Sequence, residues 1–289
     1  MDFGLISLGI ILWMMTQTCS LPVKNSSVTR DLRRRFVRGY SESSMYPEDM
    51  NAMDKILKAN GKRGFPRARG LFVRDGDIVS RYSFNSRSAI TCPAKSCLWP
   101  KSVDGFVYVP YIISPSYNDI DRIIIEMGML DISSETCVKF VPRSHEAHYL
   151  DIQPRGGCWS FLGRTEGPQP LSLQSPGCMW SGIASHEFMH ALGFVHEQSR
   201  SDRDRYVTIV WDNIVQGQEH NFKKYKTNNL NTIYDYSSVM HYGRYAFSED
   251  GGPTIIPKPD PWIPIGQRDG PSHLDIHKIN LLYDCGGLV

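Results

Sequence analysis

Between Gly105 and Ser114 the run GFVYVPYIIS sets β-branched and aromatic residues in alternation, the pattern of a strand with one buried face. From Tyr117 to Ile132 the apolar spacing changes to that of a helix, and Asn118 or Asp119 stands where an N-cap is needed. CVKFVPR (137–143) and YLDIQP (149–154) predict two more strands. The glycine-rich RGGCWSFLGRTEG (155–167) follows, and then a shorter strand, PLSLQ (170–174). CMWSGIASHEFMHALGF (178–194) predicts a helix that Gly193 stops, because glycine accepts the left-handed backbone of a helix end. Turn signals then dominate until SHLDIHKINLLYDC (272–285), a last amphipathic helix. With no internal repeat and no second core, residues 88–289 are expected to form one domain of the α+β class.

Upstream the pattern is different. Residues 21–60 are polar apart from one short amphipathic piece around Met50 to Leu57, which predicts a loosely structured region with one helix. Residues 1–20 run through an apolar segment, Leu5 to Met15, to the small residues around Cys19 and Ser20, and read as a secretory signal peptide. The apolar run is shorter than the roughly 20 residues a membrane-spanning helix needs, and no other segment is apolar enough, so no membrane association is expected.

Charge separates the two regions further. The chain carries a formal net charge of +2, but residues 21–87 hold 15 Lys and Arg against 7 Asp and Glu, whereas 88–289 hold 17 against 22. A basic segment covering an acidic domain, later detached from it, has this distribution, and 21–87 is accordingly read as a propeptide. Nucleic acid is not expected as a partner, since the basic residues lack interleaved aromatics that could stack bases. Loss of the signal peptide removes Cys19 from the seven cysteines. The remaining Cys92, Cys97, Cys137, Cys158, Cys178 and Cys285 suit three disulfides in an exported protein, with the pairing left open by spacing alone.

Chemistry concentrates in SHEFMHALGFVHEQSR, Ser185 to Arg200. Residues four apart share a helix face, so His186 and His190 can aim two imidazoles at one point. Glu187 projects beside them, where a carboxylate can reach a metal-bound water without ligating the metal. Gly193 permits the chain to turn, and His196 can return as a third ligand. Three imidazoles leave a fourth position open on zinc, as catalysis requires and a structural site does not. His145, His148, His220, His241, His273 and His277 show no such spacing and read as surface or capping residues.

HEFMHALGFVHEQSRSDRDRYV together with YDYSSVMHYGRYAFS resembles the astacin family of secreted zinc endopeptidases, within the metzincins, over nearly all of residues 88–285. The pair Cys92 and Cys97 with the run that follows is similar to the six-cysteine astacins of fish, the hatching enzymes among them. The resemblance implies a two-lobed catalytic domain with a mixed sheet and a zinc-binding helix. It implies His186, His190 and His196 as zinc ligands, Glu187 as general base, Met240 as the floor of the methionine turn, and Tyr242 as the phenol that stabilises the oxyanion.

The resemblance also accounts for the propeptide. FVRDGDIV offers Asp77, after Gly76, as the carboxylate that blocks the metal in the latent protein; Asp75 lacks the preceding glycine, and Arg74 stands where the family has phenylalanine. An activating protease cutting after Arg87 would free Ser88, whose amine is expected beside Glu197. The implied disulfides are Cys137 with Cys285, Cys158 with Cys178, and Cys92 with Cys97. The resulting expectation is a monomeric, secreted endopeptidase, stored in secretory granules before release, which acts on extracellular protein, egg envelope being one candidate. The competing expectation, a zinc-bearing binding protein without catalysis, has no need of Glu187, which is present.

Overall fold

In a computed structural model that describes residues 52–61, 71–80 and 96–286, the strand and helix patterns resolve into one mixed sheet with two helices against it. A helix, α1 (Ala52–Asn60), is followed by the hairpin β1 (Phe72–Arg74) and β2 (Ile78–Ser80). Next come β3 (Val107–Ile113), α2 (Asp119–Ser133), β4 (Val138–Pro142), β5 (Tyr149–Gln153), β6 (Cys158–Phe161) and β7 (Pro168–Leu173). The order across the sheet is β1-β2-β6-β7-β5-β3-β4. β3 pairs in parallel with β4 and β5, and β5 pairs in parallel with β7; within this sheet β6 runs antiparallel to its neighbour β7.

Residues 71–80 and 158–161 carry no strand expectation from the sequence, yet both form strands. β2 adds to β6 in parallel register, Ile78 opposite Ser160 and Val79 opposite Phe161. β6 itself lies inside the glycine-rich stretch and shows no alternation, because all four of its residues are buried. A strand covered on both faces carries no period-2 signal.

α2 begins as expected, with the Asn118 side chain accepting from the Asp121 N–H at 2.9 Å and Asp119 and Asp121 in the first turn, where they favour the helix dipole. Its buried Ile125, Met129 and Ile132 form one face, at the spacing the sequence predicts. α3 (Ser181–Ala191) has almost every side chain buried, and its Phe188 ring lies 5.1 Å from that of Phe140 in β4. Burial of a side chain of that size contributes about 2 kcal/mol, so a buried polar residue on α3 stands out against its surroundings.

From Phe194 onward regular structure is sparse: β8 (Val207–Ile209) pairs antiparallel with β9 (Ile255–Pro257) among short turns, and α4 (His273–Leu282) closes the domain. α4 starts with a reciprocal capping box between Ser272 and Asp275. Disulfides Cys137–Cys285 and Cys158–Cys178 tie α4 to the start of β4 and β6 to the segment before α3. The shorter of the two, spanning 20 residues, restricts the unfolded chain by an amount worth about 3 kcal/mol. Cys97 is disulfide-bonded, but its expected partner Cys92 lies outside the described residues, as do the signal-peptide segment 1–20, Arg87 and Ser88. Among the described residues no helix is long and apolar enough to cross a membrane.

Candidate active site

α3 ends at Ala191 with Leu192 as its C-cap, and Gly193 takes a φ of 104°, a value costly for any side chain with a Cβ. The chain turns there and brings His196 back to His186 and His190, with ring centroids 4.6 to 5.3 Å apart. All three rings are fully buried.

Backbone carbonyls set the orientation of two of them. His186 Nδ1 lies 2.8 Å from the Val239 oxygen and His190 Nδ1 2.7 Å from the Phe194 oxygen. A carbonyl only accepts, so each Nδ1 carries the proton and each Nε2 presents a lone pair. Those Nε2 atoms are 3.1 Å apart and face the Asp77 carboxylate, whose oxygens lie 3.0 Å from His186, 3.3 Å from His190 and 3.2 Å from His196. Burial and the nearby Arg268 charge push the His186 pKa down to about 3, and burial lowers that of His196, so these two rings are held neutral. The His186 and His190 lone pairs and the Asp77 carboxylate converge on one point, and they repel one another unless a cation lies among them. The donor set of three imidazoles and one carboxylate therefore fits zinc, and these four residues could all bind one ion.

Asp77 reaches this point from the tip of the β1–β2 hairpin. Asp75 and Gly76 both have positive φ, 51° and 83°, which turns the chain sharply enough to direct the next side chain inward. A Cβ on Gly76 would meet the Tyr242 hydroxyl at 3.2 Å as well as Leu57 and Phe247. Asp75 goes elsewhere: its carboxylate accepts from the Tyr225 hydroxyl, and its peptide oxygen accepts from the Tyr242 hydroxyl, each at 2.5 Å. Arg74, at the position of the expected phenylalanine, lies over the Tyr225 ring, whereas Phe72 is 42% exposed and does not replace it.

Glu187 is buried beside the histidines, and neither of its carboxylate oxygens has a hydrogen-bond partner among the described residues. Burial, followed by the charge of Asp77, pushes its pKa well above the ordinary value, and Arg268 opposes the rise. An unpartnered buried carboxyl is costly, and one with high proton affinity suits taking a proton from water. Met240 is buried in the turn below, and the backbone of that turn supplies both the Val239 oxygen for His186 and the Met240 oxygen that accepts from the Glu197 N–H at 3.1 Å. Tyr242 is fully buried with its ring 4.6 Å from that of His196.

Glu197 is buried as well, and Ser88, whose amine is expected beside it after cleavage, lies outside the described residues. The Glu197 carboxylate is paired with Lys278 at 2.7 Å and Arg200 at 3.2 Å, with the Asp235 N–H donating at 2.9 Å. His241, read as a surface or capping residue, is fully buried between the Tyr234 hydroxyl at 2.7 Å and the Tyr242 oxygen at 2.6 Å. The sequence reading also missed Arg268, whose guanidinium donates to the His241 oxygen at 3.0 Å and acts on Glu187, Asp77 and His186 through its charge. Burial lowers its pKa to about 10, which leaves it a cation. Nothing in the spacing of GQRDG marks that arginine as part of the site.

A mixed sheet, a helix carrying two histidines and a glutamate, and a returning third histidine define the class of zinc-type peptidases. The sequence profile of the astacin peptidase family matches residues 94–284, and the chain belongs to this family of zinc-dependent metalloendopeptidases. High choriolytic enzyme 1 of Oryzias latipes is 49% identical over 212 residues, 73% of this chain and 77% of that protein. An astacin-like metalloendopeptidase of Gallus gallus is 45% identical over 240 residues, 82% of this chain and 56% of that one. A solved structure of high choriolytic enzyme 1, described as a hatching enzyme zinc-protease, superposes with a TM-score of 0.67 at 50% identity, covering 69% of this chain and all of the other.

Proposed function

We propose that the protein is the zymogen of a secreted zinc endopeptidase that hydrolyses extracellular proteins, those of an egg envelope foremost. The observation that carries this reading is Asp77, a propeptide carboxylate seated against His186, His190 and His196 beside the unpartnered Glu187. The egg-envelope substrate is drawn from the relatives named choriolytic and hatching enzymes.

His186, His190 and His196 would hold the metal. When bound, zinc supplies a Lewis acid that polarises the scissile carbonyl and acidifies water. Glu187 takes the proton of the attacking water and hands it to the leaving amine. Tyr242, released from Asp75, donates to the developing oxyanion, and Met240 closes the floor. The substrate backbone docks along the edge of β6 that β2 covers in the latent protein. Until cleavage after Arg87, Asp77 fills the position that water needs. The freed Ser88 amine then approaches Glu197, where it meets a carboxylate already paired with Lys278 and Arg200.

The test is to incubate the full-length chain, and the chain beginning at Ser88, with casein and with isolated egg envelope, with and without a zinc chelator. The processed wild type should cleave, and chelator or Glu187→Ala should stop it. No cleavage by the processed chain, or undiminished cleavage by Glu187→Ala, overturns the reading. Cleavage of casein with an intact envelope would overturn only the substrate.

A further inference from the structure

One propeptide residue is held by two phenols. Asp75 offers its peptide oxygen to Tyr242 and its carboxylate to Tyr225, both at 2.5 Å, and the carboxylate is almost entirely buried. Tyr242 therefore engages the backbone of this residue and Tyr225 its side chain.

Among the described residues the Tyr225 hydroxyl has no hydrogen-bond partner besides Asp75. The Tyr225 backbone is fixed: its N–H donates to the Ser199 oxygen at 2.9 Å, and the Ser199 N–H donates to the His196 oxygen at 3.0 Å. The phenol is thus braced against the segment that carries the third histidine. On its outer side the ring faces Arg74, which departs with the propeptide.

We propose that Tyr225 is a substrate-positioning residue of the activated enzyme. Its hydroxyl donates to an acceptor side chain, an ionised carboxylate best of all, on the substrate residue whose carbonyl is attacked. This rests on the peptidase reading and on Tyr242 engaging that same carbonyl. Asp75 shows that one residue can reach both phenols, its oxygen at Tyr242 and its carboxylate at Tyr225, here from a turn with a φ of 51°. A hydrogen bond to a charged acceptor is about twice as strong as one between neutral groups, so aspartate should be favoured over asparagine, and asparagine over alanine.

The experiment uses the processed chain beginning at Ser88 and three peptides that differ only in the residue preceding the scissile bond, Asp, Asn or Ala. Wild type should show kcat/KM about tenfold higher for the Asp peptide than for the Ala peptide, with most of the difference in KM. Tyr225→Phe, which removes only the hydroxyl, should bring the Asp-to-Ala ratio close to one by raising KM for the Asp peptide. Zinc content and the urea midpoint of the variant should match wild type. A ratio that persists in Tyr225→Phe, including through equal loss on all peptides, overturns the proposal, as does a wild type without preference. If wild type shows no chelator-sensitive cleavage of any peptide, the peptidase reading itself fails.

Discussion

Asn60 hydrogen-bonds both polar groups of Cys158 across 98 positions of sequence: its Oδ1 accepts from the Cys158 N–H at 2.8 Å, and its Nδ2 donates to the Cys158 oxygen at 2.9 Å. A neighbouring strand would pair with β6 in the same way, so one side chain at the end of α1 completes the edge that β2 does not reach. The same Nδ2 also donates to the Gly76 oxygen at 2.9 Å, joining helix, hairpin and edge. Asn60→Ala should therefore loosen the propeptide and raise chelator-sensitive peptide cleavage by the unprocessed chain by about tenfold, the equivalent of one to two net hydrogen bonds. Unchanged background activity would remove Asn60 from latency.

Asp77→Ala removes the carboxylate from the histidine cluster but keeps β2 on β6. Full-length protein carrying it should bind one zinc and cleave a short peptide slowly without processing, because the hairpin still covers the β6 edge and Asp75 still holds Tyr242. Peptide assays on the unprocessed variant, with zinc counted by atomic absorption, check this. A variant as silent as wild type would place latency in the hairpin alone.

Glu187→Gln keeps the shape of the side chain and removes the base. In the processed chain it should lower kcat by about a thousandfold with little change in KM or in zinc content. A loss of zinc along with activity would make Glu187 a structural support of the metal.

Lys278→Met leaves Glu197 with Arg200 alone in a buried setting. Removing one member of a buried pair costs several kcal/mol; with Arg200 still at 3.2 Å, a loss of about 2 kcal/mol is expected, read from the urea midpoint. An unaltered midpoint would mean that Arg200 and the Asp235 N–H suffice.

Asp275 accepts from Ser238 Oγ at 2.6 Å and the Val239 N–H at 2.8 Å, supporting the turn that orients His186. Burial raises its pKa to about 6, against opposing contributions from Lys278 and its hydrogen-bond donors. The folded protein thus keeps a proton that the unfolded chain releases from about pH 4 upward, so stability falls as pH rises from about 4 to about 6, by roughly 2–3 kcal/mol. Below that window both states are protonated, and above it both are ionised. Urea midpoints across the range, wild type against Asp275→Asn, should diverge only inside the window. Parallel curves would refute the shift.

The sequence by itself determined the elements whose signal is local. The helical spacing of α2, its Asn118 cap, the placement of His186 and His190 on one face of α3 and the turn at Gly193 all lie within windows of a few residues, where backbone periodicity and residue chemistry act directly. Only tertiary structure decided what depends on distant partners. β6 shows no period because it is covered on both faces. Glu197 finds Lys278 across 81 positions, His241 is buried against Tyr234, and Arg268 acts on Glu187 through its charge. Such groups carry ordinary local patterns, and their role follows from burial and from which charges the folded chain brings within reach.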